Sequence, residues 1–158
     1  MKVDELIGAF AAEFGIGPVR PDETGAYHLD FDDMTVAFRE TGDGARLLVF
    51  GEVGELPDGG AEVFCRVMLK AMFLEGTVSG ATFALAPETE QVFLQQQKPL
   101  AELDSDRFKA TVESFVNELE KWRRALVDFR PVADEIGKAK ARTEQEAGEM
   151  ASGGFVRV

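Results

Sequence analysis

Residues 92–126 read VFLQQQKPLAELDSDRFKATVESFVNELEKWRRAL. Two periods meet inside this stretch. Val92 and Leu94 alternate with their neighbours, as residues of a half-buried strand do. From Phe108 onward the apolar side chains recur every three or four residues, through Val112, Phe115, Val116, Leu119, Trp122 and Leu126 to Phe129. That spacing puts them on one face of a long helix. Asp104 or Ser105 supplies the N-cap, and Pro131 ends the helix. A strand that leads into a one-sided helix asks for a sheet with helices packed against it.

The rest of the chain supplies that sheet. Ala81, Phe83 and Leu85 form the partner strand of Val92 and Leu94, joined across Pro87-Glu88-Thr89-Glu90. Upstream, Tyr27, Leu29 and Phe31 alternate with polar residues. Asp32-Asp33 makes a tight turn, and Met34, Val36 and Phe38 alternate again, so a second antiparallel hairpin is expected. After a turn at Thr41 to Gly44, the run Leu47-Leu48-Val49-Phe50 reads as a strand buried on both faces, or on one face plus a partner. Gly51 to Gly60 reads as a glycine-rich loop. Val3, Leu6, Ile7, Phe10, Ala11 and Phe14 stripe a first helix, which Gly15, Gly17 and Pro18 stop. A central helix over 61–74 is apolar round most of its circumference and must be covered on two sides. The expected fold is therefore α+β, in the order α-β-β-β-α-β-β-α, with a mostly antiparallel twisted sheet packed by helices. Residues 1–130 form one domain, and 131–158 form a flexible or partly helical tail poor in large apolar side chains.

Composition narrows the function. The chain has 158 residues and a formal net charge of −12. Residues 130–158 carry five basic and five acidic side chains, so residues 1–129 hold the whole excess. Such a surface repels nucleic acid and anionic membranes and favours basic or apolar partners. No apolar run is long enough to span a bilayer, and no basic segment precedes an apolar core near the N-terminus. With a single cysteine, Cys65, in the densest apolar helix, a reducing cytoplasm is the expected location.

No catalytic constellation stands out. His28 is the only histidine and lies on the polar face of a strand. Asp30, Asp32 and Asp33 are close together but lack the glycine and distal glutamate of a calcium loop. The glycine-rich stretches fit neither a phosphate-binding loop nor a dinucleotide fingerprint. Neither an enzyme, a metal nor a cofactor is expected.

The quoted stretch resembles the last strand, the "pL..ld...f" bridge and the final "fv...e.W...L" helix of the class I type III secretion chaperones, the Tir-chaperone family. Residues 6–38, LIGAFAAEFGIGPVRPDETGAYHLDFDDMTVAF, are similar to that family's first helix and opening hairpin. The resemblance spans about residues 3–129. The turn Phe73-Leu74-Glu75-Gly76 departs from it, lacking the asparagine that many members place there. The resemblance implies a non-catalytic homodimer that keeps one secreted effector secretion-competent by holding an extended segment near its N-terminus. Alternatives are a generic protein-interaction or adaptor module on the same fold, or a small-molecule-binding domain.

On this reading Leu6, Phe10, Phe14, Met34, Val36 and Phe38 are expected to contribute to a partner groove. Phe64, Val67, Met68, Ala71 and Met72 are expected to face the twin subunit, with Leu69 and Phe73 toward the sheet; which side of the central helix faces the twin stays open. The tail should be dispensable for folding, since its composition buries too little apolar area to offset chain entropy. Truncation after Arg130 should leave the melting temperature nearly unchanged. A loss above about 5 °C, roughly 1–2 kcal/mol at this size, would instead show Phe155 and Val156 docked on the body.

Overall fold

The computed structural model describes residues 1–42, 44–75, 78–131 and 140–147. Three principal helices and five strands follow in the order α1 (Val3–Glu13), β1 (Tyr27–Phe31), β2 (Met34–Thr41), β3 (Arg46–Glu55), α2 (Ala61–Ala71), β4 (Thr82–Leu85), β5 (Gln91–Pro99) and α3 (Ser105–Val127). The strands form one sheet in the order β1-β2-β3-β5-β4, antiparallel throughout. The α+β class, the two hairpins and the element order are those expected from the sequence.

Strand alternation divides the sheet into two faces. Leu29, Val36, Phe38, Leu47, Val49, Val92 and Leu94 are buried on the face that meets the helices. Leu48 and Phe50 point the other way and are half-buried, so within one subunit β3 is sealed on one face only, the second of the two readings its apolar run allowed. Residues 51–55 also differ from expectation: they continue β3 rather than forming a loop. The reason is the helix above them. A Cβ on Gly51 would stand 2.5 Å from Leu119 Cδ2, and one on Gly54 would stand 2.7 Å from Leu126 Cδ2. These glycines let α3 approach the strand closely. Gly54 also sits beside a register shift at Glu52/Gly54, with φ +145°, a bulge that glycine accommodates.

Helix α3 begins where Asp104 accepts the Arg107 backbone N–H at 2.8 Å. Phe108, Val112, Phe115, Leu119 and Trp122 are its buried line. Helix α1 lies beside it and buries Val3, Leu6, Ile7, Phe10 and Ala11. Its first turn is closed by Glu5, which accepts the Lys2 backbone N–H at 2.9 Å. Helix α2 is anchored by Phe64, whose ring meets Trp122 at 6.4 Å and Phe129 at 5.0 Å, both edge-to-face. In the tail, residues 140–147 are helical, and Thr143 donates a 3.0 Å hydrogen bond to Glu62 of α2. Phe155 and Val156 lie outside the described residues.

The contact between α3 and the glycines of β3 gives a direct test. Leu119 is fully buried and has nowhere to move, so Gly51→Ala should destabilise the protein by about 1–3 kcal/mol. Leu119→Ala should cost about 2–5 kcal/mol. Combined, the two should lose clearly less than their sum, because the added methyl fills the vacated space. Urea midpoints at unchanged m-value measure all three variants.

Candidate functional sites

The sequence stripes divide between core and surface in a way that periodicity alone does not disclose. Of the six residues assigned to a partner groove, Leu6, Val36 and Phe38 have no exposed area, and Met34 and Phe10 are 5% and 6% exposed. Leu6, Met34, Val36 and Phe38 are core: α1, α3 and the sheet close over them. Phe14 is different. It follows the last turn of α1 and stays half exposed.

Phe14 forms one wall of a groove of about 510 Å³ that also takes in Phe10, Ile16, Asp30, Phe31, Val112, Glu113, Val116 and Asn117. Its floor is aromatic: Phe10 meets Phe14 at 4.6 Å, Phe31 at 6.4 Å and Phe108 at 5.8 Å between ring centroids. The Phe14 ring is held in place from α3. Lys109 pairs with Glu13 and sets its ammonium 5.1 Å from the ring centroid. Sequence reasoning placed Phe31, Val112 and Val116 on apolar stripes but did not mark them as a site. One clue was available, since Val116 directly follows Phe115 and so widens the α3 stripe beyond its buried line.

The groove adjoins strand β1, one edge of the sheet. The two-residue turn makes Phe31 and Met34 a hydrogen-bonded pair, and alternate pairs Leu29/Val36 and Tyr27/Phe38 share that status. His28 and Asp30 therefore turn their backbone N–H and C=O groups outward. The opposite edge, β4, is partly closed. Ala86 donates to the Gln91 carbonyl at 2.9 Å, which leaves Phe83 and Leu85 facing outward. The Phe83 N–H is taken by Met72 Sδ at 3.2 Å.

A second apolar surface lies along α2 and β4. Leu69, Phe73, Leu74 and Leu85 are 63%, 73%, 83% and 47% exposed, and Val67 is 42% exposed. A cleft of about 210 Å³ runs between them, lined by Cys65, Met68, Leu69, Met72, Phe83, Ala84, Leu85 and Val92. This corrects the expected orientation of α2. Phe64 and Met68 point into the core, Ala71 and Met72 are half-buried, and Leu69 and Phe73 point away from the sheet. The core took the aromatic Phe64, which Trp122 and Phe129 clasp from two sides.

His28 Nε2 lies 2.8 Å from Asp22 Oδ2. The hydrogen bond from His28, then those from Thr24 and Ala26, hold the Asp22 carboxyl well below the usual carboxylate range. Asp22 thereby pins the loop that leads into β1. Burial, assisted by Glu90 and Glu62, pushes the Cys65 thiol up, which suits a small hydrophobe rather than a nucleophile. No group of three or more His, Cys, Asp or Glu side chains among the described residues could hold a metal ion. No helix among them is long and apolar enough to cross a membrane.

Known structures share this arrangement. A chain of the ExsC–ExsE complex is 24% identical, with 80% of this chain and 97% of that chain covered, at a TM-score of 0.67. A chain in the complex of the Yersinia pestis type III secretion chaperone SycH with a fragment of YscM2 is 17% identical, covers 75% and 98%, and scores 0.60. A chain of the ExoT–SpcS complex from Pseudomonas aeruginosa is 17% identical, covers 75% and 94%, and scores 0.56. Among curated proteins none matches the chain. The family model described as "Tir chaperone protein (CesT) family" matches residues 5–123. A sheet with its helices on one face, the bridge from β5 into α3 and a match over most of the chain agree: the protein belongs to the Tir chaperone protein (CesT) family.

Proposed function

We propose that the protein, a type III secretion chaperone by family, works as a homodimer in the bacterial cytoplasm and holds an extended segment of one secreted effector. The observation that carries this reading is the pair of exposed apolar surfaces at opposite edges of one sheet. A chain with a net charge of −12 keeps such surfaces in solution without self-association of the wrong kind. Each surface suits a different occupant.

The α2/β4 surface suits a second copy. It is lined by Leu69, Phe73, Leu74 and Leu85, and of the two outward backbone donors of β4 the one on Phe83 is taken by Met72. Side-chain packing would therefore dominate there. The α1/α3 groove suits an extended peptide, because it combines an apolar trough with the open β1 edge. A strand added at that edge satisfies its own backbone while alternate side chains enter the trough. No bond-making group is required. The tail beyond residue 130 is an appendage on this reading.

Leu69 is mostly exposed within one subunit, so Leu69→Glu should fold normally. It should nevertheless abolish the dimer, since an unpaired charge in a desolvated contact costs about 3–5 kcal/mol. Sedimentation at micromolar concentration should show dimer for the parent and monomer for the variant. A monomeric parent protein would refute this part of the proposal.

The groove is tested with a client recovered from the native organism by pull-down and mass spectrometry. Phe14→Ser and Val116→Ser leave the buried core intact. Each should weaken binding about 30-fold if it removes a contact worth about 2 kcal/mol. Unchanged affinity for both folded, dimeric variants would place the client elsewhere. Recovery of no client, together with stabilisation by a small ligand, would favour a small-molecule site instead.

A further inference from the structure

The groove carries charge as well as apolar surface, and the charge is placed where an incoming strand would read it. Asp30 lies on the outward-facing pair of β1, opposite Thr35. Thr35 Oγ1 donates to Asp30 Oδ1 at 2.6 Å, which fixes the carboxylate and leaves its second oxygen available. Asp30 forms no ion pair among the described residues. Glu113 stands across the trough on α3 and likewise forms none among them. The cation closest to it in sequence, Lys109, is engaged by Glu13 and by the Phe14 ring. Glu113 still feels the charge of Lys109, so the rim carboxylate that lacks a counterion among the described residues is Asp30.

Strand geometry converts this rim into a sequence preference. A residue paired opposite Asp30 points to the same face of the sheet as Asp30. Its two neighbours point the other way, toward Phe14, Phe31 and Val116. We infer that the groove selects an apolar–basic–apolar triplet, with Lys or Arg opposite Asp30 and the flanking apolar side chains in the trough. This rests on the groove reading above and adds the charge of the segment it takes.

The test uses three fluorescein-labelled synthetic peptides that differ at one position: Leu-Arg-Leu, Leu-Gln-Leu or Leu-Glu-Leu within the same Ser/Gly flanks. Binding to the full-length protein is read by fluorescence anisotropy. The arginine peptide should bind about three- to fivefold tighter than the glutamine peptide, the scale of an opposite-charge cross-strand pair. The glutamate peptide should bind weaker than either. The preference should shrink as salt rises, and it should vanish in Asp30→Asn, for which the arginine and glutamine peptides should bind equally. Equal binding of the arginine and glutamine peptides, with Phe14→Ser weakening both, would overturn the charge inference and leave the groove standing. Binding that Phe14→Ser does not alter, or no binding by any peptide at millimolar concentration, would overturn the groove and this inference with it.

Discussion

The close passage of α3 over β3 governs the rest of the molecule. Leu119 sits where the side chain of residue 51 would be, and Leu126 where that of residue 54 would be. This contact fixes the height of α3 above the sheet. It thereby determines where Phe108 meets Phe10 and Phe38, and where Trp122 meets Phe64 and Phe83. Helices α1 and α2 are seated against those rings on either side of α3. The two exposed apolar surfaces are the outer margins of the same packing: what α1 and α3 leave open near Phe14, and what α2 and β4 leave open near Leu69.

Helix and strand periods were legible because each element has one clear apolar face. The stripe from Phe108 to Trp122 and the alternation through both hairpins gave the order and the antiparallel sheet without further information. Residues 51–55 were not legible as strand, because glycine is a turn signal unless something is known to press against it, and Leu119 is 68 positions away in sequence. The candidate site was less readable. Phe10 and Phe14 are both phenylalanines on one stripe, four residues apart, yet one is buried and the other half exposed. Periodicity reports a face; it does not report how far a neighbouring element covers that face. The same limit reversed α2. Its circumference is apolar nearly all round, so composition cannot say that Phe64 and Met68 go inward while Leu69 and Phe73 stay out.

Acidity and exposed apolar area answer one another in this chain. Leucine and phenylalanine side chains left in water attract any similar surface, and apolar attraction is not selective. Long-range repulsion between like-charged copies opposes approach except along a geometry that brings enough apolar area together. The anionic body therefore acts as a filter on association. On the proposed function, basic or apolar segments would pass it more readily than acidic ones.

Met72 gives the two ends of the sheet different fates. By accepting the Phe83 N–H it narrows the β4 end, where Leu85 alone keeps an outward backbone donor, while the β1 end keeps two residues with outward backbone groups. Ladder growth in cross-β assemblies requires every unit to be open on both sides. A unit whose second edge is this short is a poor relay: a strand received at one side finds little template for the next at the other. A segment taken up at the β1 edge, as proposed, would therefore meet little ladder to continue at the far edge.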